Sequence, residues 1–267
     1  MKQINIILMM LLTIGLVAQT TNEETFNIPL SNPGQEGMLE VDIHNGTITV
    51  EAYSGSEVVV KLIGYDSDEK DSSDASKYGL KKVSNNVMDT EISEENNYVE
   101  IDGGRKGRTD VYVQVPANFS LDLNSHHNGD ITVKGVNGAI EVNSHHGAIM
   151  LDGVSGSAVA DTHHGGITAT FDSVDGDKPM AFSTYHGNVD VTLPGSTSFN
   201  PKVKSSRGDV YTDFDMDFKP VTSDGSKKGK NKGKYRIGGG WLQGTVGSGG
   251  KEMLMNTYHG DIIIRKA

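Results

Sequence analysis

The fold is decided by the stretch Ala139-Ile140-Glu141-Val142-Asn143-Ser144-His145-His146-Gly147-Ala148-Ile149-Met150-Leu151. Apolar and polar residues alternate in it on both sides of the turn Ser144-His145-His146-Gly147. Alternation with a period of two is typical of a β-strand that has one buried and one exposed face. The stretch therefore predicts two short strands joined by a tight corner.

The same corner recurs along the chain. It opens with Ser or Thr, closes with Gly, and returns mostly after about 20 residues, a spacing that predicts stacked β-layers in a glycine-rich chain. The recurring corners are Ser125-His126-His127-Asn128-Gly129, Ser144-His145-His146-Gly147, Thr162-His163-His164-Gly165, Thr184-Tyr185-His186-Gly187, Ser205-Ser206-Arg207-Gly208 and Thr257-Tyr258-His259-Gly260. A second set of glycine turns closes each repeat on its other side, as at Asn137-Gly138 and Pro194-Gly195.

The strands before and after each corner supply the predicted core. Their alternate apolar residues should point inward, and the polar residues between them should face solvent. The predicted inward pairs are Leu121/Leu123, Ile140/Val142, Ala158/Ala160, Met180/Phe182, Pro201/Val203 and Met253/Met255 before the corners, and Ile131/Val133, Ile149/Leu151, Ile167/Ala169, Val189/Val191, Val210/Thr212 and Ile262/Ile264 after them.

Two all-β architectures fit this repeat. The first is a single-stranded parallel β-helix (a β-solenoid) with its layers stacked about 4.8 Å apart. The second is an antiparallel β-meander, since strands joined by Gly-containing turns give a similar pattern. The turns rarely contain the two-residue Asn-Gly sequence that tight hairpins prefer, which favours the β-solenoid.

The corner sequences also carry a family resemblance. The resemblance rests on four stretches: Val115-Pro116-Ala117-Asn118, the Gly-Asp-Ile run at Gly129, Gly208-Asp209-Val210-Tyr211-Thr212-Asp213-Phe214 and the closing Gly260-Asp261-Ile262. In these residues the chain resembles the bacterial secreted putative-adhesin family of β-strand-repeat proteins. The resemblance implies a right-handed single-stranded β-helix and transfers no catalytic residue. This chain departs from the family pattern by placing histidine repeatedly before the corner glycine.

The domain organisation follows from composition. Residues 1–18 have a basic start and an apolar run, and we interpret them as a signal peptide that is too short to span a membrane. Residues 19–37 form an N-terminal extension, and residues 38–267 form the β-solenoid domain, with loop insertions near 66–97 and 215–238. The chain has no cysteine and a net charge of -11, which disfavours nucleic acid and anionic membranes as partners.

All nine histidines lie in these corners or in the related turn at His44. Stacking of the layers would place His126, His145 and His163 in one column, and His127, His146, His164 and His186 in another. Neighbouring imidazoles could bind a divalent transition metal such as zinc, nickel or copper, for which His127, His146 and His164 are the candidate ligands. The alternative is a polar turn ladder without metal. Stacked imidazoles would in either case repel one another when protonated and destabilise the layers in acid.

No catalytic motif accompanies the repeat. Asp152, Asp190 and Asp213 are scattered over several predicted layers, and the basic run at residues 227–236 is typical of a solvated loop. We therefore expect an exported, non-enzymatic, adhesin-like protein of the cell envelope, cell surface or extracellular space that binds a carbohydrate or protein partner. The alternatives are a metal- or pH-responsive binding protein and a polysaccharide-active enzyme. Trp241 is expected to cover one open end of the core.

Overall fold

A computed structural model describes residues 21–65, 90–104, 107–216, 218–221 and 240–267. These residues form a 20-stranded sheet, and none of them is helical. The strands are β1 (Thr21–Pro29), β2 (Gly37–Asn45), β3 (Ile48–Tyr53), β4 (Glu57–Tyr65), β5 (Thr90–Glu95), β6 (Tyr98–Gly103), β7 (Arg108–Pro116), β8 (Phe119–His127), β9 (Ile131–Lys134), β10 (Asn137–His146), β11 (Ile149–His164), β12 (Ile167–Val174), β13 (Met180–His186), β14 (Val189–Leu193), β15 (Asn200–Ser205), β16 (Val210–Thr212), β17 (Lys219–Pro220), β18 (Leu242–Gln243), β19 (Glu252–His259) and β20 (Ile262–Lys266).

The strands stack as layers, each with one strand before the corner and one after it. The strands before the corner pair in parallel in the order β6, β2, β8, β10, β11, β13, β19, β15. The strands after the corner pair in parallel in the order β7, β3, β9, β11, β12, β14, β20, β16. Strand β11 is long enough to serve two successive layers. This pairing agrees with stacked parallel layers and does not agree with an antiparallel meander for the central strands.

Antiparallel strands cover the two ends of the stack. At one end β5 pairs with β6, while β4 pairs with β7 and carries β1 on its other side. At the other end β18 pairs with both β15 and β17. Strand β1 lies in the predicted N-terminal extension, and β5 and β17 lie in the segments predicted to be loop insertions. These segments therefore contribute strands to the same sheet.

The order of the layers differs from the order of the sequence at both ends. Layer β2–β3 lies between β6–β7 and β8–β9, and layer β19–β20 lies between β13–β14 and β15–β16. The stacking order therefore departs from the sequence order at these two places. The physical reason is that every corner makes the same kind of contact with the layer next to it. Closeness in sequence alone therefore does not determine which layers become neighbours.

The predicted inward residues form a continuous apolar core. Small and large side chains alternate between layers. Ala160 lies in register with Phe182, and Ala169 lies in register with Val191. The space that the alanines leave is filled by aromatic rings, with Phe171 and Phe182 in edge-to-face contact at 6.3 Å between centroids. The alternation predicted this core correctly wherever a layer has neighbours on both sides.

The prediction fails for β16 in the last layer, although Pro201 and Val203 in β15 of that layer are buried as predicted. Val210 is only half-buried and Thr212 is exposed, because β16 has β20 on one side and no strand pairs with its other edge among the described residues. Trp241 does not belong to the apolar core either. Its ring lies beside Lys202 and Lys204, with the ammonium groups 5.5 and 5.7 Å from the ring centroid. Phe214 and Val246 are buried near this end instead.

Several expectations fall outside the described residues. These are the signal peptide at residues 1–18, residues 66–89 of the first insertion, and the basic run at 227–236. Within the described residues there is no helix of the length and apolar character that a membrane crossing requires.

Candidate functional site

The corners are held together by buried hydroxyl groups. The Ser or Thr that opens each corner points inward, and its hydroxyl donates a hydrogen bond to the carbonyl oxygen of the corner glycine in the adjacent layer. Each bond gives a buried hydroxyl group the hydrogen-bond partner that a buried polar group needs. The pairs are Ser125 to Gly46 (3.0 Å), Ser144 to Gly129 (3.3 Å), Thr162 to Gly147 (2.8 Å), Thr184 to Gly165 (2.8 Å), Thr257 to Gly187 (2.9 Å) and Ser205 to Gly260 (2.8 Å).

The glycine that closes each corner allows the layers to approach closely. A Cβ atom on Gly147 would lie 2.0 Å from the carbonyl oxygen of Gly129, and one on Gly260 would lie 2.0 Å from that of Gly187. Both distances are far below van der Waals contact. The same carbonyl thus accepts the hydroxyl hydrogen bond and touches the next glycine, which explains why the two residue types recur together.

This backbone arrangement places the residues between the hydroxyl residue and the glycine of each corner on the outer surface, in register with those of the next layer. The aromatic residues among them form two columns of rings, which we call the ring corner. Its first column contains His44, His126, His145, His163, Tyr185 and Tyr258, and its second column contains His127, His146, His164, His186 and His259.

Rings in the first column stack face to face over three successive contacts. The centroids of His145 and His163 are 5.2 Å apart with an interplanar angle of 6°. The next contacts, His163 to Tyr185 and Tyr185 to Tyr258, measure 5.0 and 4.8 Å, each at 2°. Because these separations match the spacing of hydrogen-bonded strands, the strand register sets the stacking.

The second column stacks in the same manner. His164 lies 5.0 Å from His146 and 4.9 Å from His186, at 7° and 6°. His186 lies 4.7 Å from His259 at 10°. The stacking weakens at His127, whose ring is 6.0 Å from His146 and tilted by 42°. The ordered part of the ring corner therefore runs from β10 to β19.

Within each layer the two columns meet at a steep angle. The rings of His145 and His146 are 4.3 Å apart at 68°, and those of His163 and His164 are 4.4 Å apart at 73°. The Nδ1 atoms of His145 and His146 are 2.8 Å apart, which is a hydrogen-bond distance. This contact requires one Nδ1 to carry a proton and the other to accept it.

Charged groups lie at the two ends of the ring corner. The Arg207 guanidinium lies 5.4 Å from the centre of the Tyr258 ring, in a cation–π contact. At the other end, His126 Nε2 is 3.5 Å from a carboxylate oxygen of Asp42. Tyr185, Tyr258 and His259 also belong to these columns, although the predicted columns did not name them. The recurring corner sequence has these three residues at the same positions, and this signal could have found them.

The packing of the ring corner lowers the pKa of three of its histidines. Desolvation by neighbouring rings, followed by the charges of His146 and His163, lowers the pKa of His145. Desolvation and then the charges of His163 and His146 lower the pKa of His164. For His259, desolvation comes first and the charge of Arg207 second, and its pKa is lowered as well. These three imidazoles therefore favour the neutral form.

We expect this shift to make the protein less stable in acid. A lowered folded-state pKa means that the unfolded chain binds protons first, so stability is complete above the unfolded value of about 6.5 and falls as the pH drops through the folded pKa. The melting temperature of the wild type should fall by roughly a few degrees more, between pH 8 and pH 5, than that of a triple His145/His164/His259→Asn variant. Carboxylates titrate equally in both proteins, so an identical fall in the two would contradict the expectation.

The predicted metal ligands His127, His146 and His164 do lie in one column. Their rings are stacked or tilted, and stacked rings direct their nitrogen lone pairs side by side instead of toward one point. Among the described residues, no group of three or more His, Asp or Glu side chains is placed to hold a metal ion. The closest approach of imidazole nitrogens is between the two columns, not along one of them.

Of the three acidic residues considered for catalysis, Asp190 and Asp213 already have hydrogen-bond partners for their side chains. Asp190 accepts two hydrogen bonds from the Arg265 guanidinium, each of 2.9 Å, and Asp213 accepts one of 2.7 Å from the backbone N–H of Lys266. An open groove lies on the opposite side of the stack, where Asp175 and Lys178 form an exposed ion pair of 3.6 Å. The other polar residues that line it include Asn118, Ser120, Asn137 and Ser173.

Sequence comparison decides the family. Residues 10–238 match the family described as Toastrack DUF4097. The chain belongs to this family. The family resemblance found in the sequence is thereby confirmed. The matched residues of the Toastrack chain include the corners from His44 to Gly208, and layer β19–β20 lies beyond them although it stands inside the stack. No curated protein matches the sequence.

Solved structures give distant likenesses to the Toastrack chain. A putative cell adhesion protein from Clostridium sporogenes aligns over 93% of this chain and 100% of its own, with 12% identity and a TM-score of 0.44. A putative adhesin from Bacteroides fragilis aligns over 92% and 98%, with 8% identity and a TM-score of 0.41. A putative adhesin from Parabacteroides merdae aligns over 92% and 96%, with 8% identity and a TM-score of 0.25.

Proposed function

We propose that this Toastrack protein is an exported, non-enzymatic, adhesin-like protein that binds a carbohydrate or protein partner at the cell envelope or surface. The observation that carries the proposal is the outer face next to the ring corner. On this face, residues of successive layers form straight rows at the strand spacing of about 4.8 Å. A rigid, regular surface of this kind suits an extended partner that makes many similar contacts.

The charges on this face are divided along the stack. Glu40 lies in register with Glu100 on one side and with Asp122 on the other, and Asp122 lies in register with Glu141. The same row ends in Lys202 at the far end, beyond Ala181 and Leu254. The face is therefore acidic at the β6 end, whereas at the β15 end Lys202 forms an ion pair of 3.3 Å with Glu252. This uneven distribution of charge would orient a partner along the stack.

The acidic row is kept in place by a local hydrogen bond. The Tyr98 hydroxyl donates to the Glu40 carboxylate, and this bond raises the pKa of Tyr98 to about 12. Like charges in adjacent strands repel one another, so the row costs stability unless something offsets it. A cationic group on a partner would relieve this repulsion, which supports a binding role for the acidic end.

Surface exposure is the first consequence to test. If the protein is displayed on the cell surface, protease added to intact cells should remove nearly all of it, because a protease that cannot cross the envelope reaches only proteins displayed on its outer side. A protein known to lie behind the envelope should stay intact in the same sample. Full protection of this protein in intact cells, with cleavage after lysis, would contradict surface display.

A further inference from the structure

The contact between the two ring columns has a geometry that stacking alone does not require. His145 and His146 are neighbours in sequence, yet their Nδ1 atoms point toward each other and are 2.8 Å apart. Both side chains are exposed, so an ion from solvent can reach them. The corner backbone that holds them is fixed by the Ser144 hydroxyl and by the close approach of Gly147 to Gly129.

The distance between the nitrogens, which in the free protein is that of a hydrogen bond, also fits one coordination geometry. Two nitrogens that each lie about 2.0 Å from one ion are about 2.8 Å apart when the N–metal–N angle is 90°, and about 3.3 Å apart when it is tetrahedral. The observed 2.8 Å corresponds to the right angle. Square-planar and tetragonal sites with right angles are typical of Cu²⁺ and Ni²⁺, and copper binds more tightly in the general order of divalent affinities.

We propose that His145 and His146 chelate a Cu²⁺ ion through their two Nδ1 atoms, and that His163 and His164, whose rings meet in a similar way, form a second site one layer away. The second pair reproduces the first in ring separation and angle, and it lies directly under it because both columns stack at this point. Water completes the coordination on the solvent side. The inference is independent of the adhesin-like role.

Protons move little when the ion binds. In the free protein one Nδ1 donates a hydrogen to the other, so one ring carries its proton on Nδ1 and the other on Nε2. Binding requires both Nδ1 lone pairs, and the first ring therefore shifts its proton to Nε2 by exchange with solvent. Both rings stay neutral, and no oxidation or reduction is involved.

The ring corner contains its own control. The layer next to His163 and His164 has Tyr185 and His186 at the same two positions, with the same steep contact between rings at 4.7 Å and 79°. His186 also stacks on His164 like any other member of its column. This layer therefore has the same packing but only one imidazole, so it cannot chelate through two rings.

The test is a titration of the purified protein with Cu²⁺ near pH 7.5, followed by calorimetry and by electron paramagnetic resonance. We expect two equivalents to bind with nitrogen hyperfine structure from two imidazoles. His146→Asn should remove one equivalent or weaken it at least about tenfold. His164→Asn should do the same for the second, and the double variant should lose both. His186→Asn should leave both equivalents unchanged.

Three results would overturn the proposal. The first is the absence of saturable Cu²⁺ binding by the wild type. The second is binding that His146→Asn and His164→Asn leave unchanged, which would assign the ion to other groups. The third is an equal loss in His186→Asn, which would show that the stack as a whole matters and not the pair. The variants should keep the wild-type melting temperature at pH 8, since all three side chains are exposed.

Discussion

Replacing Gly147 by alanine should destabilise the protein by about 3 kcal/mol or more, which is at the upper end of single overpacking changes. The added Cβ would lie 2.0 Å from the carbonyl oxygen of Gly129. That oxygen belongs to the backbone of the adjacent layer and cannot turn away as a side chain would. Relieving the clash would separate the layers at the corner and weaken the Thr162 hydrogen bond to the Gly147 carbonyl as well.

Alanine substitutions at two further glycines distinguish the effect of close approach on stability from the effect of backbone conformation. Gly153 has a φ of +60° with only ordinary contacts around it, so its replacement by alanine should cost about 1 kcal/mol from the backbone alone. Gly195 has neither a close neighbour nor a left-handed backbone, and Gly195→Ala should change stability by less than about 0.5 kcal/mol. Urea unfolding of the three variants measures the series. A Gly147→Ala protein as stable as Gly195→Ala would refute the role of close approach.

Truncating Phe182 to alanine should cost about 3–5 kcal/mol, because a fully buried aromatic ring leaves a cavity that rigid strands cannot close. Phe182 is completely buried, contacts Phe171 edge to face, and lies in register with Ala160 in the adjacent layer. Tyr211→Ala is the matched control, since that aromatic residue is 52% exposed and the loss of its ring should change little.

The register between Ala160 and Phe182 offers a sharper form of this test. Ala160→Leu alone should overpack the wild-type core and cost about 1–3 kcal/mol. In the Phe182→Ala background the same leucine should fill part of the cavity and restore stability. A double-mutant cycle by denaturant unfolding measures this coupling. Additive effects of the two changes would mean that the side chains do not share the space between the layers.

The sequence predicted the layers well because alternation records burial directly. Leu121, Val142 and Met255 are inward residues by pattern and are buried in the structure. The histidine columns also follow from the pattern, since strands in register repeat their corners at the same height. Thr212 shows where such reasoning stops, because its burial depends on a neighbouring layer that the alternation does not reveal.

The layer order and the ring geometry could not be predicted in this way. Ser205 has the same hydroxyl and the same corner whether its neighbour is Gly187 or Gly260, and nothing in the local sequence distinguishes the two. Similarly, the spacing of His145 and His146 places them on one corner but does not determine the angle between the rings. That angle comes from the packing of each ring on the layer next to it.

The displaced layers have a consequence for how the chain reaches its native state. Strands β13 and β15 are close in sequence and share the same corner chemistry, so they can pair directly before β19 has arrived. Such a stack would satisfy its hydroxyl and carbonyl groups locally, yet it would have no place for β19–β20. Correct assembly requires the gap to stay open or to reopen, and contacts between distant segments form slowly. The interchangeable corners that make stacking easy therefore also allow a misassembled stack to compete with the native one.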